Sequence, residues 1–140
     1  MKMKCLRIRH LLSIILCLAM LFANVPPVFA EGTVTLSSPV TVNKGNLSTY
    51  QNAVLTTNGT AKPEDSLLVF DGVKVTVVLE NFKVQINAPA GHTCQSGITL
   101  KNGADVTLIL RGENLAQGKY GGAGIEVPAG CKLTISSQST

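Results

Sequence analysis

Three stretches of this chain are versions of one another. Residues 67–77, 98–108 and 125–135 align without gaps, and their starts lie 31 and 27 residues apart. Each reads as a strand, a tight turn and a second strand, with the turns at Asp71 and Gly72, Asn102 and Gly103, and Ala129 and Gly130. Repetition at such a period constrains the fold strongly, because a unit this small buries its apolar face only by stacking on its neighbours. Two strands around Asp-Gly or Asn-Gly would otherwise read as a β-hairpin. The repeat argues instead for coils that turn corners at these sites, where glycine admits positive φ. Val, Thr, Ile and Leu alternate with polar residues throughout, which is strand periodicity.

Stacking the coils in parallel register places aligned residues about 4.8 Å apart. The inward columns are then Leu67/Ile98/Ile125, Val69/Leu100/Val127, Val75/Val106/Leu133 and Val77/Leu108/Ile135, all aliphatic. Outward columns are Thr76/Thr107/Thr134, Lys74/Asp105/Lys132 and Glu80/Arg111/Gln138. None of these sets like charges opposite one another, which would be unfavourable. The register chosen on apolar pattern alone therefore also satisfies the electrostatics. The expected fold class is all-β: a short right-handed parallel β-helix of about three coils.

The segments between repeats differ. Residues 82–97 are long and include an alternating piece at 83–87, whereas 115–124 are short and Gly-rich. Asn81 and Asn114 each precede an apolar residue and fit left-handed corners or an asparagine ladder. Residues 31–65 match the repeat poorly and read as an irregular N-terminal cap, with strands at 33–36 and 40–42. The repeats fill 66–140 and stop just after a strand. A truncated longer protein, downstream domains, or self-association at the open coil end would each account for this.

The N-terminal 30 residues read differently. Lys2, Lys4, Arg7 and Arg9 precede an apolar run at 11–23, then a breaker at 24–27 and a small-residue site ending at Ala30. This is the pattern of a cleavable secretory signal. A run of 13 residues reaches about 20 Å as a helix, short of the ~30 Å hydrocarbon core, so no permanent membrane span is expected after cleavage. The formal charge of +4 belongs wholly to this segment, since the remainder has eight Lys/Arg and eight Asp/Glu. A neutral product gives no electrostatic reason to expect nucleic acid. Cys94 and Cys131 stay with the exported part, where a disulfide between them is permitted.

The units ITLKNGADVTLILRGENL (98–115) and GGAGIEVPAGCKLTI (121–135) resemble those of a family of secreted bacterial surface proteins described as carbohydrate-binding. These have a right-handed parallel β-helix like that of pectate lyases. The resemblance covers roughly residues 66–140. It implies a non-catalytic module for polysaccharide or cell-wall glycan binding, or adhesion, at the bacterial surface, in some members with calcium. A structural stalk without ligand is the second reading, and a fragment of a polysaccharide lyase the third.

The residues themselves argue against catalysis. A β-helix lyase needs a basic residue amid acids, but Arg111 is the one arginine outside the signal and sits beside Glu80 in its column. His92 is a single loop histidine, with no partners for a triad. For sugar binding, Tyr120 in the Gly-rich loop is the best stacking residue, with Lys119 beside it. Phe70 is a third candidate, placed outward by alternation. Asp71, Asn102 and Asp105 supply oxygen ligands near successive turns and form the candidate calcium set.

Overall fold

A computed structural model describes residues 32–138 of the chain. The signal peptide expected over residues 1–30 lies outside the described residues. The described part is a parallel β-solenoid of about four stacked turns, with almost no helix. Twelve strands fall into three sheets. The first sheet contains β1 (Thr33–Thr35), β3 (Val54–Thr56), β6 (Lys74–Glu80), β9 (Asp105–Arg111) and β12 (Lys132–Ser137) in that order. The second runs β2 (Val40–Val42), β5 (Leu68–Asp71), β8 (Ile98–Lys101) and β11 (Ile125–Glu126). The third runs β4 (Thr60–Ala61), β7 (Lys83–Gln85) and β10 (Leu115–Gln117). Every strand pairing is parallel, so the paired stretches around Asp71 and Asn102 are corners between sheets and not hairpins.

The first sheet holds the register read from the sequence. Val75 pairs with Val106 and that with Leu133; Val77 pairs with Leu108 and that with Ile135. Thr76, Thr107 and Thr134 form the outward ladder. Asp105 lies 3.9 Å from the ammonium groups of both Lys74 and Lys132, and Arg111 lies 3.6 Å from Glu80. Such exposed pairs are worth about 0–1 kcal/mol each. They discriminate between registers more than they stabilise the fold.

The second sheet corrects the alignment by one residue. Leu68 pairs with Ile98 and Phe70 with Leu100, so Leu68 and Phe70 take the core-facing strand positions assigned to Leu67 and Val69, while Leu67, just before the strand, is itself buried in the core. Phe70 is 0% exposed, which overturns its outward placement and removes it from the sugar-binding candidates. The cause is a corner of unequal length. Asp71 opposes Lys101 and Lys74 opposes Asp105, so the later corner holds one residue more. A one-residue slip moves every side chain to the other face. Pattern alone could not detect the slip, because Leu67 and Val69, or Leu68 and Phe70, are both apolar frames. Asn102 and Gly103 absorb the extra residue with φ of 55° and 75°, where the earlier corner uses Gly72 alone at 62°.

The corner between the first and third sheets lengthens in the same way. Glu80 opposes Arg111 but Lys83 opposes Leu115. Asn81 (φ 50°) therefore stacks on Gly112 (φ 66°), and Asn114 falls beyond it, out of register. The two asparagines still knit the coils together. Asn81 Oδ1 accepts the Glu113 N–H at 3.1 Å, and Asn114 Oδ1 accepts the Phe82 N–H at 2.9 Å.

Residues 33–61 are more regular than a cap. They supply β1, β2, β3 and β4, which join all three sheets. The repeat is hidden there because the corner after β2 carries a short helix, α1 (Leu47–Tyr50), instead of an Asp-Gly or Asn-Gly turn. Asn46 fastens that detour by accepting the Asn43 N–H at 2.8 Å and donating to the Thr41 carbonyl at 2.9 Å. Val127, expected inward, lies past β11 and is 41% exposed.

The burial of Phe70 has a measurable consequence. Phe70→Ala is expected to lower stability by about 3–5 kcal/mol in urea unfolding followed by circular dichroism. A surface side chain at that position would change it by less than about 0.5 kcal/mol.

Candidate functional site

The third sheet presents its outer face to a cleft. Ala61, Val84 and Ala116 form its inward column, since Ala61 pairs with Val84 and Ala116 with Val84. The next position along each strand points outward. Gln85 pairs there with Gln117, and Lys62 follows Ala61 on the preceding coil. These side chains, with Asn87, Gly118 and Lys119, line a cleft of about 300 Å³ floored by Ile86. Asn87 donates its backbone N–H to the Pro63 carbonyl at 2.7 Å, which holds the turn bearing Lys62 against the cleft.

The Gly-rich loop positions the far wall. Gln95 and Lys119 form an antiparallel bridge between the long and short inter-strand loops. A Cβ on Gly122 would overlap the Gln95 carbonyl, and one on Gly118 would overlap the carbonyls of Ala123 and Gly122. These glycines are thus required by close backbone approach. Lys119 follows from this packing. Its ammonium donates to the Ala88 carbonyl at 2.7 Å and sits 5.0 Å from the centroid of the Tyr120 ring. Tyr120 itself is 42% exposed. A ring that accepts a cation on one side and meets solvent elsewhere remains available for stacking.

The other sequence candidates are dispersed. Lys119 and Tyr120 stand together, but Phe70 is in the core. Asp71 and Asn102 are joined by a 2.6 Å hydrogen bond, and the Lys101 ammonium lies 3.5 Å from Asp71. Asp105 is turned towards Lys74 and Lys132 instead. Lysines thus already neutralise both carboxylates of the candidate calcium set. Among the described residues, no three His, Cys, Asp or Glu side chains cluster as a metal group. Cys94 and Cys131 are free thiols, so the disulfide is not formed. Cys131 packs against the core at the corner before β12, while Cys94 is exposed in the loop before β8.

Lys62, Gln85, Asn87 and Gln117 were not singled out from sequence. Their signal is faint but present. In both 83–85 and 115–117 an apolar residue is followed by glutamine, and the match is concealed by the lengthened corner before β10. No protein-family model, curated protein or solved structure matches this chain.

Two expectations arise from this geometry. Gly122→Ala is expected to destabilise the protein by about 1–3 kcal/mol through overpacking. Faster amide exchange at Lys119 and Gln95 would report the opened loop. The hydrogen bond from Asn102, with the nearby Lys101 charge, holds the Asp71 carboxyl below its ordinary value of 3.8 against the opposing effect of desolvation. A depressed folded-state value stabilises the fold above the ordinary carboxylate range, and the contribution fades as pH falls through the lowered value. Asn102→Ala should raise the Asp71 pKa towards 3.8 in an NMR titration.

Proposed function

We propose that this chain is an extracellular, non-catalytic polysaccharide-binding module of a bacterial surface protein, with the glycan lying in the cleft on the third sheet. The observation that carries this reading is the cleft lining. Amide and ammonium side chains repeat on successive coils, and an exposed tyrosine stands beside them. Sugars present hydroxyl groups that amides can serve as both donors and acceptors, together with apolar ring faces that stack on aromatic side chains. A shallow polar cleft beside a tyrosine suits that chemistry. The secretory pattern at residues 1–30 and the resemblance of 66–140 to bacterial surface repeats support export and surface placement.

A second reading is a spacer coil with no ligand. It is favoured by the outward columns on the first sheet, where threonine ladders and alternating charges are satisfied by neighbouring coils.

Affinity electrophoresis of the purified chain against a panel of plant, host and cell-wall polysaccharides separates the two readings. Retardation by at least one glycan is expected, with Tyr120→Ala and Gln85→Ala each weakening it about fivefold or more. Binding that survives both substitutions would move the site elsewhere. No retardation by any glycan would leave the spacer.

A further inference from the structure

The cleft lining carries positive charge that no ion pair neutralises, although Glu64 and Asp65 follow Lys62 in the adjoining turn. Its lining carries two ammonium groups, three side-chain amides and no carboxylate. Elsewhere among the described residues, every lysine and arginine but Lys44 is paired: Lys74 and Lys132 with Asp105, Lys83 with Glu113, Lys101 with Asp71, and Arg111 with Glu80. Among the described residues, Lys44, Lys62 and Lys119 are the basic side chains without a carboxylate partner. Two of these three line the same cleft.

Lys119 is also held in place. One of its three N–H donors goes to the Ala88 carbonyl and its charge lies over the Tyr120 ring, so the ammonium is fixed with two donors left. Neither the carbonyl nor the ring neutralises it. Lys62 stands two coils away along the axis, at the head of the column that continues through Gln85 and Gln117. Two coil steps amount to about 10 Å. A single acidic sugar meets one lysine. An extended strand with repeated acidic groups meets both, and the second contact forms at high effective concentration.

We propose that this cleft takes an anionic glycan strand, laid along the coil axis so that successive acidic groups meet Lys62 and Lys119 while Gln85 and Gln117 serve the hydroxyls between them. The inference rests on the reading of the cleft as the glycan site, and it names the class of glycan. The acid can be a carboxylate or a sulfate, since an ammonium recognises either.

The test measures retention of the purified chain on polygalacturonate, dextran sulfate, unmodified dextran and single-stranded DNA across a salt series. Retention on one or both acidic glycans at least tenfold above neutral dextran is expected, falling as salt rises because exposed charges are screened over about 8–10 Å. Preference between the two acidic polymers names the acid. Lys62→Gln and Lys119→Gln should each cost about two- to fivefold, the range of an exposed ion pair. Lys44→Gln, outside the cleft, should cost nothing, and unchanged thermal unfolding shows that the variants fold. A hexamer of galacturonic acid should bind more than tenfold tighter than the monomer. Acidic-glycan binding that survives the double Lys62→Gln, Lys119→Gln variant, or equal retention on DNA, overturns the proposal. Binding to neutral dextran alone overturns it while leaving the cleft a glycan site. Absence of binding to every glycan removes both readings.

Discussion

The parallel backbone ladder of β6, β9 and β12 is the constraint on which the other features rest. It runs unbroken from Lys74 opposite Asp105 to Glu80 opposite Arg111, and on to β12 from Lys132 to Ser137. A ladder of this kind fixes strand spacing and leaves almost no freedom in the sheets. Differences between one coil and the next must therefore be absorbed at corners. The offset between paired residues shows this directly. It is 30 from Leu68 to Ile98, 31 from Lys74 to Asp105 and 32 from Lys83 to Leu115. Each corner adds one residue, and left-handed backbone at Asn102, Gly103 and Gly112 takes up the excess.

This arrangement explains what was legible in the sequence. The columns of the first sheet were readable because β6, β9 and β12 are long, because their first four residues alternate polar and aliphatic, and because their charges oppose in sign. In the second sheet the apolar pattern and the true register differ by one residue. The corner insertion lies between Phe70 and Lys74 as compared with Leu100 and Asp105, and two adjacent apolar frames made both readings plausible to pattern alone. In 33–61 the strands at 33–36 and 40–42 are legible as strands and match β1 and β2, but their place in the repeat is not. Strands of two or three residues carry too little alternation to register, and α1 stands where a glycine turn would have marked the corner.

The candidate site divides along the same line. Tyr120 and Lys119 were visible because a tyrosine and a lysine in a Gly-rich loop are unusual. Their meeting at the Ala88 carbonyl depends on Gln95 bridging two loops, a long-range contact with no local signature. Lys62 and the two glutamines lie on separate coils, and only the strand register brings them into one column. Conversely, Asp71, Asn102 and Asp105 are near in register, but Asp71 is taken up by Asn102 and Lys101 and Asp105 by Lys74 and Lys132, so nearness in sequence pattern did not produce a ligand cluster.

The column formed by Lys62, Gln85 and Gln117 has a further consequence. Its spacing belongs to the backbone, about 4.8 Å per coil, and no side-chain substitution can alter it. Mutation can change which chemical group stands at each step, but not the distance between steps. The sheet therefore acts as a fixed ruler. A polymer whose own repeat is commensurate with that pitch can place equivalent groups on every rung, whereas one with a mismatched repeat drifts out of phase within a few units. Selectivity on such a surface lies as much in the period of the ligand as in its chemistry, and lengthening the solenoid would sharpen it without any new kind of contact.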